Sequence, residues 1–161
     1  MIMKNFVLNA LRENARRSAA EIAEMGNYEV SAVENTIKQL EDERIICGYT
    51  AICDDSVDDG NVKAVIEVRV SPSRDGGFDQ VAKRIARYPE VTDLLLISGS
   101  FDLLITINGK SLKEVANFVA SKLATIDGVL STSTGFMLKK YKESGRTMED
   151  FEEYERLKVT P

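Results

Sequence analysis

The chain contains no histidine. That absence removes histidine-based triads, histidine general bases and most transition-metal sites at once. Cysteine is scarce: Cys47 and Cys53 are the only two, too few for a disulfide framework and unable to close a tetrahedral zinc site alone. No metal, cofactor or catalytic constellation is expected, and the chain does not read as an enzyme. No apolar run reaches membrane-spanning length, and the N-terminus lacks the basic-then-apolar pattern of a signal peptide. A cytoplasmic protein with no membrane partner is therefore expected. Positive charge is also short. Lys and Arg total 21 against 26 Asp and Glu, a net charge of −5. Any nucleic-acid binding must come from a local basic patch.

What is present suits a globular protein of one ordinary or two small domains: 161 residues, 43% hydrophobic and 29% charged. Residues 4–15, "KNFVLNALRENA", place Phe6, Val7, Ala10 and Leu11 on one helical stripe. In "SAAEIAEM", Ser18 with Glu21 forms a capping box and Ile22 and Ala23 face inward. Gly26 and Asn27 both tolerate a left-handed turn. A third helix follows over "EVSAVENTIKQLEDE", residues 29–43. Its inward side is Val30, Val33, Ile37 and Leu40; its outward side is Ser31, Glu34, Asn35, Lys38 and Gln39. "RIICGYTAI" is β-branched and aromatic and reads as a strand that buries Cys47. Residues 1–52 thus read as a winged helix-turn-helix. The acidic stretch 53–61 reads as a linker.

From Val62 the period changes to two. "VKAVIEVRV" sets Val62, Ala64, Ile66, Val68 and Val70 on one face and Lys63, Glu67 and Arg69 on the other. A helix over "FDQVAKRIARY", strands in "PEVTDLLLIS" and "GSFDLLITINGK", a helix opened by Ser111 and Glu114, and a strand in "DGVLSTSTGFMLKKYK" complete the unit. The order is βαββαβ, a ferredoxin-like plait over residues 62–142, so the fold class is α+β. One sheet face stays uncovered, with Val65 on it, which points to oligomerisation. Residues 143–161 form an acidic tail, either disordered or adding "RLKV" as a strand at a subunit edge.

The loop "SGSFD", Ser98 to Asp102, joins two apolar strands. Backbone N–H groups around Gly99 suit a carboxylate, and Asp102 suits an ammonium. The alternative is a plain hairpin turn, in which Gly supplies a positive φ and Asp bonds its own backbone. In "STST", Ser131 to Thr134, the hydroxyls suit a ligand contacted across a subunit interface, or else a solvated strand face.

"NARRSAAEIAEM", "TIKQLEDERIICGYTA", "SGSFDLLITI" and "TSTGFMLKKYK", in this order and spacing, resemble the Lrp/AsnC (feast/famine) family of transcriptional regulators. The resemblance covers nearly the whole chain. It implies the winged helix-turn-helix and the plait already read. It further implies homodimers that often assemble into octamers, DNA as partner, and an amino-acid effector held by the Gly-x-x-Asp loop between subunits. The candidate effector residues are Ser98, Gly99, Ser100, Phe101 and Asp102 in that loop, joined by Thr132 and Thr134 if the hydroxyls of "STST" reach the ligand across the interface.

The third helix departs from that family. Members carry Ser or Thr at its start and Arg along its exposed face; here stand Glu29, Asn35, Thr36 and Gln39, with Lys38 retained. Asn35 and Gln39 can still read adenine, and Arg16 and Arg17 can clamp phosphates beside Ser31 and Lys38. Across residues 1–52, six cations face eight acids, a net charge of −2. Two functions follow: a DNA-binding regulator that senses an amino acid, or an oligomeric small-molecule-binding protein whose reading head has weakened.

Overall fold

Capping chemistry sets the N-terminal helices. Ser18 Oγ accepts from the Glu21 N–H, and the Glu21 carboxylate accepts from the Ser18 N–H at 2.6 Å. This reciprocal box starts α2, Ala19–Gly26, and the Ser18 backbone N–H holds the Glu21 carboxyl below its ordinary range. Asn27 ends α2 in the left-handed conformation (φ 53°). Gly26 serves packing instead. A Cβ there would lie 2.4 Å from the Tyr28 ring and 2.7 Å from Phe6, whose rings meet edge to face.

The computed structural model describes residues 2–53, 60–72 and 77–148. They divide into two compact units, Met1–Ile52 and Cys53–Pro161. In the first, α1 (Ile2–Glu13), α2 and α3 (Val30–Asp42) close on Val7, Ala10, Leu11, Ile22, Ala23, Val33 and Leu40. Burying each Val, Leu or Ile contributes about 1.5–3 kcal/mol. The three helices give the helix-turn-helix. The strand expected over 44–52 is absent: residues 45–53 form no strand. A strand needs a partner to satisfy its backbone, and the described part of this unit contains no other strand. Arg44 turns the chain with φ 54°, and both Ile45 and Ile46 N–H groups return to the Leu40 carbonyl. Cys47, expected to be buried, is exposed.

In the second unit, β1 (Val62–Val70) is central, between β3 (Leu103–Gly109) and β4 (Val129–Phe136), with β2 (Val91–Leu96) beyond β3. All pairings are antiparallel. The period of two is realised: Ala64, Ile66, Val68 and Val70 are buried with Leu103, Ile105 and Ile107 beneath two helices. These are α4, Asp79–Ile85, and α5, Leu112–Phe118, which continues as a π-helical turn Val119–Leu123. The opposite face carries Val65 beside Thr106 and Glu67 beside Leu104, then Leu95 beside Leu104. Beyond β4, β5 (Lys142–Glu143) and β6 (Arg146–Thr147) form a small hairpin. The tail expected from residue 143 therefore begins as structure, and its remainder, including "RLKV", lies outside the described residues. Most of the expected linker, 54–59, does as well.

Candidate functional site

Two surfaces collect the residues singled out from sequence. The first is the outer side of α3. Ser31, Asn35 and Lys38 are exposed there. Glu29 caps the helix without a side-chain hydrogen bond. Three expectations change. Val30, placed on the inner stripe, is 41% exposed and is the first residue of α3. Thr36, a position compared with family arginines, is buried and donates its hydroxyl to the Ala32 carbonyl at 2.8 Å. Gln39 donates Nε2 to Glu43 at 2.6 Å, and Glu43 also takes Lys4 at 3.1 Å. Lys4 and Gln39 hold the Glu43 carboxyl below its usual value.

The two arginines ahead of α2 separate as well. Arg17 donates to the Ala10 carbonyl at 3.1 Å and to Glu13 at 2.7 Å, tying α1 to the turn that follows it. Arg16 is exposed. Of the proposed phosphate clamp, only Arg16 presents its charge outward.

The second surface is the β2–β3 loop. Gly99 is absent from the positive-φ residues, so left-handed geometry is not its reason. A Cβ there would approach nothing nearer than Ile97 at 4.0 Å. Asp102 is half-buried. Its N–H donates to the Val68 carbonyl at 3.0 Å, and its Oδ2 accepts from the Val70 N–H at 2.8 Å. The carboxylate thereby continues the β1–β3 ladder past the end of β3. Asp102 bonds backbone, as the plain-turn alternative held, but the backbone of β1 rather than its own. Arg69 Nε donates to the Ser100 carbonyl at 2.9 Å, fixing the loop crest.

An open depression of about 500 Å³ lies beside this loop, lined by Phe78, Leu96, Ile97, Ser98, Gly99 and Asp102. Ser98, Gly99 and Asp102 thus come together; Ser100 and Phe101 do not line it. Thr132 and Thr134 stand on β4, opposite Val68 and Ile66, with β1 between them and β3. At about 4.8 Å per strand spacing, they are not gathered at the loop within one chain. Phe78 was missed. It read as a core position of α4, and nothing in its local spacing ties it to a loop 20 residues on.

The chain thus joins a helix-turn-helix unit to a ferredoxin-like unit that carries an open depression beside its β2–β3 loop. The Lrp/AsnC ligand binding domain family matches residues 63–147. An uncharacterised HTH-type transcriptional regulator of Bacillus subtilis (strain 168), YugG, is 43% identical over 157 residues, 96% of this chain and 95% of that protein. The chain belongs to the Lrp/AsnC family, which comprises transcriptional regulators and not enzymes. Solved structures agree in fold. E. coli AsnC superposes with a TM-score of 0.66 at 20% identity, covering 89% of this chain and 95% of that one. A Neisseria meningitidis transcriptional regulator in complex with L-Met superposes with a TM-score of 0.66 at 24% identity, covering 88% and 91%.

Proposed function

We propose that the protein is a cytoplasmic DNA-binding transcriptional regulator whose C-terminal unit senses a small α-amino acid. The observation that carries the effector half is the β2–β3 depression. It combines glycine backbone, a carboxylate and the apolar side chains of Phe78 and Leu96. A zwitterion with an apolar side chain matches that set: its ammonium meets the Asp102 oxygen not engaged by Val70, and its carboxylate meets loop N–H groups. The L-Met bound to the Neisseria relative has that chemistry. Ser98, Gly99 and Asp102 hold the effector. Thr132 and Thr134 reach it only from another copy, so the site is completed in a homodimer or octamer. The open sheet face, with exposed Leu95 beside Leu104, supports such assembly.

For DNA, Asn35, Lys38 and Ser31 form the reading side of α3, and Arg16 adds a phosphate contact. Fluorescence anisotropy against the protein's own upstream DNA tests this half. Sequence-specific binding with a steep salt dependence is expected, and no binding at about 50 mM salt counts decisively against it. A thermal-shift screen of the common amino acids tests the effector half, because a ligand bound to the native state raises Tm. Absence of any shift at millimolar concentration removes it. One observation favours the second reading, an oligomeric small-molecule-binding protein with a weakened head. Lys4 and Arg17, two of the six head cations, are already paired with Glu43 and Glu13.

A further inference from the structure

Charge is unevenly placed along the second unit. Residues 139–146 carry Lys139, Lys140, Lys142 and Arg146 against the single acid Glu143, a net charge of +3 in a chain whose total is −5. This stretch folds into a defined ribbon. Lys142 pairs with Thr147 and Glu143 with Arg146. Ser144 (φ 46°) and Gly145 (φ 85°) supply the two left-handed residues that a tight type I′ turn requires. The Met148 N–H closes back on the Tyr141 carbonyl at 3.0 Å.

Core burial does not account for the ribbon. None of its residues belongs to the apolar cluster of the plait, and a bare two-stranded hairpin is marginally stable alone. Its chemistry points outward. Tyr141 is 59% exposed, with the Lys139 ammonium 5.1 Å from its ring centroid. Lys140 turns toward Glu143 at 2.7 Å with its side chain only 13% exposed. Lys139, Lys142 and Arg146 remain exposed.

We propose that the hairpin Lys139–Thr147 is a second DNA-contacting element, supplying phosphate contacts that the acidic head lacks. The proposal rests on the DNA-binding reading above. Lys and Arg contacts to phosphate supply a large share of protein–DNA affinity, yet residues 1–52 carry a net charge of −2. A two-stranded ribbon fits a DNA groove, and an exposed tyrosine among cations suits sugar and phosphate oxygens. DNA is the occupant these features favour, because the binding term missing from the head is the one the hairpin holds. Glu149, Asp150, Glu152, Glu153 and Glu155 follow in sequence.

The test uses the full chain and its upstream duplex over a salt series. Each phosphate contact adds about −0.9 to the slope of log K against log salt. The combined variant Lys139→Gln, Lys142→Gln, Arg146→Gln is expected to flatten the slope by roughly 2 to 3. It should weaken operator and scrambled duplex alike. The charge-preserving set Lys139→Arg, Lys142→Arg, Arg146→Lys should keep the parent slope. If the combined variant loses its thermal transition, Lys142→Gln alone carries the test, with a change of about 0.9. A slope equal to the parent's overturns the proposal. A parent that binds no DNA overturns this proposal and the regulator reading together. A parent that binds, loses base discrimination on Asn35→Ala and keeps its slope in the hairpin variant overturns this proposal alone.

Discussion

The reading head and the plait treat their candidate ligand-binding groups differently. In the head, Gln39 and Arg17 are engaged by exposed partners, Glu43 and Glu13. Such exposed contacts are weak, and the Arg17–Glu13 ion pair is also screened by salt. In the plait, half-buried Asp102 closes a strand ladder through the Val70 N–H. Releasing it would leave a partly buried donor unsatisfied, at a cost of about 1–3 kcal/mol. An effector of the proposed kind would therefore have to meet Asp102 as it stands. The head's contacts are exposed, whereas the β2–β3 loop is fixed by a part-buried bond.

The sharpest way to break this contrast is at Asp102. Asp102→Ala removes a charge-assisted bond and orphans the Val70 N–H, and should lower stability by about 1.5–3 kcal/mol in a urea titration. It should also abolish any amino-acid-induced thermal shift. Asp102→Asn keeps an acceptor for Val70 but removes the charge. It should retain most of the stability and still lose the ligand response. If both variants lose stability equally, the carboxylate is not acting through the Val70 hydrogen bond.

Next in size is the head. Asn35→Ala should cost about 1–3 kcal/mol of discrimination at one adenine position, whereas Gln39→Ala should change it by only a few tenths. Equal losses at the two positions would mean that the Glu43 contact opens on binding. Arg17→Ala should lower head stability by about 1 kcal/mol through the lost Ala10 contact and leave the salt slope alone. Arg16→Ala should do the reverse, flattening the slope by about 0.9.

Local rules carried most of the fold. Ser18 and Glu21 announce α2, and Ala64 to Val70 announce β1, because capping and side-chain period depend on adjacent residues. The wing strand failed for a non-local reason: β-branched composition in "RIICGYTAI" states a preference, but pairing needs a second strand. Val30 and Cys47 failed likewise, since burial is decided by what packs from elsewhere. The sites were half legible. Ser98, Gly99 and Asp102 stood out as loop chemistry, yet the bond from Asp102 to Val70 spans 32 residues. The engagement of Arg17 by a carbonyl seven residues back is equally invisible in spacing, and so is the arrival of Phe78 at the loop depression.

The smallest predicted effect concerns pH, and it again divides the units. Glu21 and Glu43 both lie in the head, and both are held below the ordinary carboxylate value of 4.5, by the Ser18 N–H and by Lys4 respectively. A depressed folded-state value means that the native state favours the ionised form. The associated stability is complete above the unfolded-state value and drains away as pH falls through the lowered one. Glu90 in the plait is depressed as well, chiefly by Lys122, whose ammonium also sits 5.5 Å from the Tyr88 ring centroid. That pair is backed by aromatic contacts, and the unit holds a larger apolar core than the head. The head is therefore expected to unfold first as pH drops below about 4.5. In a Tyr28→Phe, Tyr49→Phe variant, whose remaining tyrosines all lie in the second unit, circular dichroism at 222 nm, weighted toward the helical head, should fall before the tyrosine signal near 280 nm changes. Glu43→Gln should remove part of the pH dependence by deleting one titrating group. Coincident transitions at the two wavelengths would show that the units unfold as one and would end the comparison.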